Sequence, residues 1–161
     1  MKNILFAFAC LFAMKGLAQK KNDNYNLHIH KASSAIKIDG IMNELAWQDA
    51  EAADDFWMVL PMDTSHARVP TEVKMTYDNE NLYMIAVCHL IKPGPYMVES
   101  LNRDFIFGKN DNFIFFIDPF DDRTSGFTFG ANAAGAQWDG TLYSGGNYIL
   151  ILLYFIPMLS F

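Results

Sequence analysis

The chain has 161 residues, with 12 Lys and Arg against 18 Asp and Glu, and a formal charge of −6. That length holds one domain at most. The acidic balance argues against nucleic acid as a partner, because binding phosphates needs basic patches.

Residues 1–18 read as a secretory signal. Lys2 supplies the positive start, residues 4–13 the apolar core, and Gly16, Leu17 and Ala18 a small-x-small cleavage site before Gln19. A membrane-spanning helix needs about 20 apolar residues, more than this run offers. Cleavage takes Lys2, Lys15 and Cys10 with it, so the mature chain is the more acidic. It keeps one cysteine, Cys88. No internal disulfide can form, and no disulfide-linked partner is evident. The expected location is the periplasm, cell surface or outer membrane of a bacterium.

Residues 19–34 form a polar leader followed by a first short strand at 27–30, and 35–38 is a second strand candidate. Asp39-Gly40 signals a turn. Residues 43–50 read as one or two helical turns, with Asn43 as N-cap and Trp47 on the inner side. Residues 56–60 are a further strand candidate. Residues 71–77 alternate: Val73, Met75 and Tyr77 are set to face one way, Glu72, Lys74 and Thr76 the other. A turn at 78–81 leads to residues 82–89, apolar on both faces and so read as a central strand. Together they predict a hairpin. Residues 98–102 are a weaker strand candidate, and 103–111 a loop.

The unbroken apolar run Phe113, Ile114, Phe115, Phe116, Ile117 predicts a strand buried on both faces. Residues 118–122 form a turn rich in Asp. A strand at 127–132 then enters a glycine-containing corner that ends in Gln137, Trp138 and Asp139. Residues 148–161 carry no charge and show neither alternation nor turn chemistry. Pro157 interrupts any helix there. The expectation is that this tail is foreign to the fold, as after a frameshift, and prone to aggregate. Many short strands with turns between them predict an all-β, antiparallel β-sandwich of jelly-roll type over 35–147.

The chain resembles the family 9 carbohydrate-binding module, in the form found at the start of longer exported Bacteroidetes proteins. The residues that carry the resemblance are Ile38-Asp39-Gly40 with Glu44 and Trp47, Thr71-Glu72-Val73, Tyr77-Asp78 with Asn81-Leu82-Tyr83, Arg103-Asp104, Asp111-Asn112-Phe113, Ile117-Asp118-Pro119-Phe120, Arg123, and Asn132 through Gly135 to Asp139-Gly140. It covers about residues 36–146. It implies a sandwich of jelly-roll or DOMON-like type that binds oligosaccharide or polysaccharide without catalysis and serves an enzyme partner. Family members continue with further strands and a long second region, so it also implies an incomplete C-terminal end and a downstream region in a longer parent protein.

Sugar binding needs an aromatic ring for the C–H faces and fixed polar groups for the hydroxyls. Trp138 suits the first role; Gln137, Asp139, Asn132 and Arg103 suit the second. Trp57 is a second ring for the same purpose. The alternative is that Trp138 caps the core, Asp139-Gly140 only turns the chain and Trp57 is packing. Trp47 is read as a core plug. A Trp138→Ala change is therefore expected to spare stability and a Trp47→Ala change to unfold the domain.

No cofactor is expected, although Asp118, Asp121 and Asp122 offer oxygens suited to calcium, a cation that members of the resembled family can bind. They lack the spacing of a known calcium loop. His28 and His30 share one strand face, with no third ligand in view. No paired carboxylates, nucleophile elbow, phosphate loop or zinc-protease helix marks an enzyme. The rival reading is a structural domain that docks on its own downstream region.

Overall fold

The computed structural model describes residues 25–58, 65–122, 124–143, 147–149 and 159–160. The expected signal, Arg123 and much of the tail lie outside them. The described chain is all-β, with two sheets, one short α-helix and one 3-10 turn at Phe107–Lys109.

The first sheet is built on a hairpin. Strands β3 (Thr71–Tyr77) and β4 (Leu82–Cys88) pair antiparallel along their whole length, from Thr71 opposite Cys88 to Tyr77 opposite Leu82. The turn forms because Asp78 Oδ1 accepts from the amides of Glu80 (2.8 Å) and Asn81 (2.7 Å). Since β4 covers one edge of β3, the other edge is left to two short pieces. Strand β1 (His30–Lys31) lies parallel against Thr76 and Tyr77, and β2 (Ala52–Ala53) antiparallel against Val73 and Lys74.

Between β1 and β2 runs α1 (Leu45–Asp49). Its N-cap position is Glu44, not the expected Asn43, and no side chain of its own segment caps it. Instead Ser34 Oγ, reaching across the chain, accepts from Ala46 N (3.2 Å). Glu44 Oε1 accepts from Lys37 N (3.1 Å). At the other end Lys74 Nζ donates to Trp47 O (3.0 Å), which satisfies a last-turn carbonyl. Trp47 (0 % exposed) and Ile85 (1 %) form the buried centre here, with Ile36, Ala50 and Tyr83 around them.

This helix corrects the reading of β3. Val73 is buried as expected, but so is Thr76, while Tyr77 is exposed. Lys74, Thr76, Ile85 and Tyr83 share a sheet face by register, and the Trp47 cluster sits on that face. Thr76 Oγ1 donates to His30 O (2.8 Å), so its hydroxyl is satisfied as β1 closes over it. A polar residue at a covered position is stable once its hydrogen bond is made.

The second sheet has the order β5 (Asn112–Ile117), β6 (Gly126–Asn132), β7 (Gln137–Tyr143), β8 (Asn147–Ile149), with every neighbouring pair antiparallel. Strand β5 stands at its edge, and Phe116 is 61 % exposed, so the expectation of burial on both faces fails there. A Cβ at Gly130 would lie 2.5 Å from Ile114 Cγ1 and 2.8 Å from Phe113 O, so only glycine lets β5 and β6 approach this closely.

Several strand candidates shrink. Residues 35–38 are not a strand; of the candidate at 56–60, residues 56–58 carry one bridge, Trp57 with His66, and 59–60 lie outside the described residues; 98–102 keeps one bridge, Val98 with Asn110. In the tail, the backbone of Asn147–Ile149 pairs with Thr141–Tyr143, and β9 (Leu159–Ser160) runs parallel to Ala86 and Val87 of β4.

Candidate functional site

The corner between β6 and β7 is organised by one side chain. Asn132 is 0 % exposed. Its Oδ1 accepts from Ala134 N (3.1 Å) and Ala136 N (2.9 Å), and its Nδ2 donates to Ser100 O (2.7 Å) and Asn110 Oδ1 (3.2 Å). An amide has two donors and two acceptor sites, so these four bonds use it fully. Gly135, at φ +81°, supplies the left-handed residue that the corner needs.

Asn110 is the second half of this lock. It is 3 % exposed; its Oδ1 also accepts from Glu99 N (3.0 Å) and Ser100 N (3.2 Å), while its Nδ2 donates to Ile106 O (3.0 Å). Asp111 adds a third tie. Its backbone exchanges hydrogen bonds with Met97 O (2.6 Å) and Ala133 N (2.8 Å), and its carboxylate accepts from Met97 N (2.8 Å). The segment 97–111 is therefore strapped across the β6–β7 corner.

The strap delivers Arg103 to β7. One arm of the guanidinium donates to Gln137 Oε1 (2.6 Å), and another forms an ion pair with Asp139, which is itself fully buried. Gln137 and Asp139 lie two residues apart on one strand, hence on one sheet face. Asp104, held at φ +62°, donates its amide to Gln137 O (2.9 Å) and anchors the backbone beside them. The Arg103 side chain keeps 24 % of its surface exposed. Phe129, half-buried, stands directly opposite Asp139 in the register and packs on Phe115, ring centres 5.6 Å apart.

Trp138 points to the other face. It is 3 % exposed and meets Phe107 edge-to-face, with centroids 4.5 Å apart. Phe105, also buried, completes the line through Phe107. The ring expected to stack on a sugar is thus core packing, covered by the strap. Trp57 is half-buried and lies against His66 at 4.2 Å. Of the six residues expected to bind sugar, the fold gathers Arg103, Gln137 and Asp139 into one cluster. It commits Asn132 and Trp138 to the interior, and it holds Trp57 in the His66 segment. Phe107, Asn110, Phe115 and Phe129 were not among the expected residues. For the first two the signal was faint, since neither sits in a periodic pattern.

The acidic turn is occupied with its own backbone. Asp118 Oδ1 accepts from Phe120 N (3.1 Å), and Asp122 accepts from Thr124 N, Ser125 N and the Ser125 hydroxyl. These bonds, the hydroxyl's first, pull the Asp122 carboxyl well below its ordinary range. Among the described residues no three His, Cys, Asp or Glu side chains converge as a metal site. The Cys88 thiol, half-buried, is pushed up by burial. No helix among the described residues is long and apolar enough to cross a membrane.

No protein-family model, curated protein or solved structure matches the chain.

Proposed function

We propose that the chain is a non-catalytic glycan-binding β-sandwich module of an exported protein, with its site on the sheet face that carries Arg103, Gln137, Asp139 and Phe129. The observation that carries this reading is the seating of Arg103. A planar guanidinium, held at two points and still partly exposed, is fixed in orientation against the strand face on which Phe129 stands opposite Asp139. Vicinal sugar hydroxyls need such a fixed fork, and C–H faces need the neighbouring ring. The motif order described above supplies the ligand class. Trp138 has no part in the site on this reading.

The test is calorimetric titration of soluble oligosaccharides into the folded chain. Weak binding is expected, with Kd of about 1 µM to 1 mM, or roughly 4–8 kcal/mol. Arg103→Lys keeps the charge but loses the fork, and it should abolish the heat while the protein stays folded. A glycan panel that gives no heat with the unaltered chain sinks the proposal.

A second reading is a structural domain that docks on a downstream region of a longer parent. It is favoured by the exposed apolar side chains Phe116 (61 %) on β5 and Phe120 (70 %) in the turn after it. Retention of that region, with no glycan heat, would select it.

A further inference from the structure

The hairpin end where Thr71 stands opposite Cys88 carries two loops side by side. His89 N donates to Pro70 O (2.9 Å), which carries the pairing one step past the strands and joins the loop before β3 to the loop after β4. Every residue from 89 to 97 is exposed. Leu90 (54 %), Ile91 (61 %), Tyr96 and Met97 lie in this stretch, and Val69 is exposed on the neighbouring loop. A single exposed apolar side chain is ordinary; several on two adjoining loops form a patch. The loops are also anchored. The Thr71 hydroxyl donates to Val69 O (3.2 Å), the backbone of Met97 is bonded to Asp111, and Pro93 and Pro95 restrict the turn between.

Charge sets this patch apart from the rest of the chain. The formal charge is −6, yet residues 65–71 and 89–98 contain no Asp or Glu. They contain Arg68 beside Val69 and Lys92 beside Ile91. Both cations are exposed, and neither forms an ion pair among the described residues. The acids that flank the two loops are largely taken: Asp55 by His66 (2.6 Å), Glu72 by Lys74 (3.6 Å), Glu99 by Lys109 (3.0 Å) and Asp111 by Met97 N (2.8 Å). Asp54, just after β2, is the acid in this region with no ion pair among the described residues. We propose that the patch is a docking surface for an anionic lipid bilayer, with Val69, Leu90 and Ile91 entering the interface and Arg68 and Lys92 meeting lipid phosphates. Each apolar side chain or pair has a cation next to it, which matches the layering of a membrane surface, hydrocarbon first and phosphate beside it. An acidic protein face would match the cations equally, but Leu90 and Ile91 would then need a shaped apolar counterpart, and fluid acyl chains need none. The proposal uses none of Arg103, Gln137, Asp139 or Phe129 and is independent of the glycan reading.

Co-sedimentation of the full chain with vesicles tests this. Binding to vesicles of phosphatidylglycerol and phosphatidylcholine in equal parts should exceed binding to pure phosphatidylcholine by about tenfold, and R68Q and K92Q should each weaken it about fivefold. L90S/I91S should lose about tenfold or more through the missing apolar area. K37Q/K109Q, which removes two cations elsewhere, should bind as the unaltered chain does. Binding unchanged in L90S/I91S, as attachment through residues 1–18 or 148–161 would give, overturns the proposal. An equal loss in K37Q/K109Q, or no binding to the anionic vesicles, overturns it too. Should L90S/I91S not fold, amide exchange of the unaltered chain decides: anionic vesicles should slow exchange at residues 90–92 and 96–97, and unchanged exchange there overturns it. A lipid-free dimer that L90S/I91S dissociates, with no vesicle binding, would assign the patch to a second copy and overturn it equally.

Discussion

Asn132 and Asn110 meet amide to amide in the interior of the corner, Nδ2 to Oδ1 at 3.2 Å, with both side chains shielded from solvent. Each also binds the backbone of Ser100, Asn132 Nδ2 its carbonyl and Asn110 Oδ1 its amide. Truncating Asn132 to alanine leaves the amides of Ala134 and Ala136 and the carbonyl of Ser100 without the bonds it made, while Asn110 Oδ1 keeps Glu99 N and Ser100 N. Unmet buried groups cost about 1–3 kcal/mol apiece. Asn132→Ala should lose at least about 3 kcal/mol in denaturant unfolding. A loss within about 1 kcal/mol would show that the corner does not depend on this amide.

Arg103 and Asp139 should be strongly coupled. Removing one partner of a buried ion pair costs about 3–5 kcal/mol, because the other is left desolvated. Arg103→Ala, which strands the fully buried Asp139, is expected in that range, and the double change R103L/D139L should recover much of it. A double-mutant cycle measures the coupling directly. Additive losses would mean that the two side chains are energetically independent.

Trp138→Ala should now behave like Trp47→Ala. Both rings are buried, at 3 % and 0 % exposure, and loss of a core tryptophan costs about 3–5 kcal/mol. The contrast expected from the sequence, a binding ring against a core ring, is replaced by two core rings in two different places. Parallel urea melts of the two variants check this; a stable Trp138→Ala would return the ring to the surface.

The hairpin turn should be acid-sensitive through Asp78. Its carboxyl is pulled to about 2, first by the Glu80 amide, then by the Tyr83 hydroxyl and the Asn81 amide. A carboxyl lowered in the folded state stabilises above its unfolded value and loses that contribution as pH falls through the lowered one. Hairpin stability should therefore decline from the ordinary value of 3.8 toward about 2. Asp78→Asn should flatten that part of the stability profile. The Tyr83 phenol, which donates to Asp78, is raised correspondingly. A carboxyl-carbon titration of Asp78 with an ordinary midpoint would refute the assignment.

The features legible in the sequence are those set by neighbours in the chain. The β3–β4 hairpin, its Asp78 turn and the β6–β7 corner each need only local alternation and turn chemistry. Trp47 was legible because an indole beside a helical turn is usually buried. What escaped depends on distant covers. Trp138 is buried by Phe107, which lies in a segment with no periodicity to announce it. Thr76 is buried by the return of His30, a partner 46 residues away in the chain. Phe116 is exposed because β5 stands at an edge, and an apolar run does not reveal its place in a sheet. Arg103, Gln137 and Asp139 were named together, but the strap that joins them rests on Asn110, Asp111 and Asn132 acting as structural ties.

The connectivity of the two sheets also implies an order of assembly. Strands β5, β6 and β7 follow one another through short turns, as do β3 and β4. Such pairings close small loops and form early. The outer pieces of the first sheet are different. Strand β1 must return to Thr76 across 46 residues, and β9 must come from the far end of the chain to reach Ala86. Closing long loops costs more entropy and comes late. During synthesis the β3–β4 hairpin therefore forms while its β4 edge still awaits β9. For that interval Ala86 and Val87 offer their backbone to any strand nearby, so the nascent chain is most vulnerable to mispairing there.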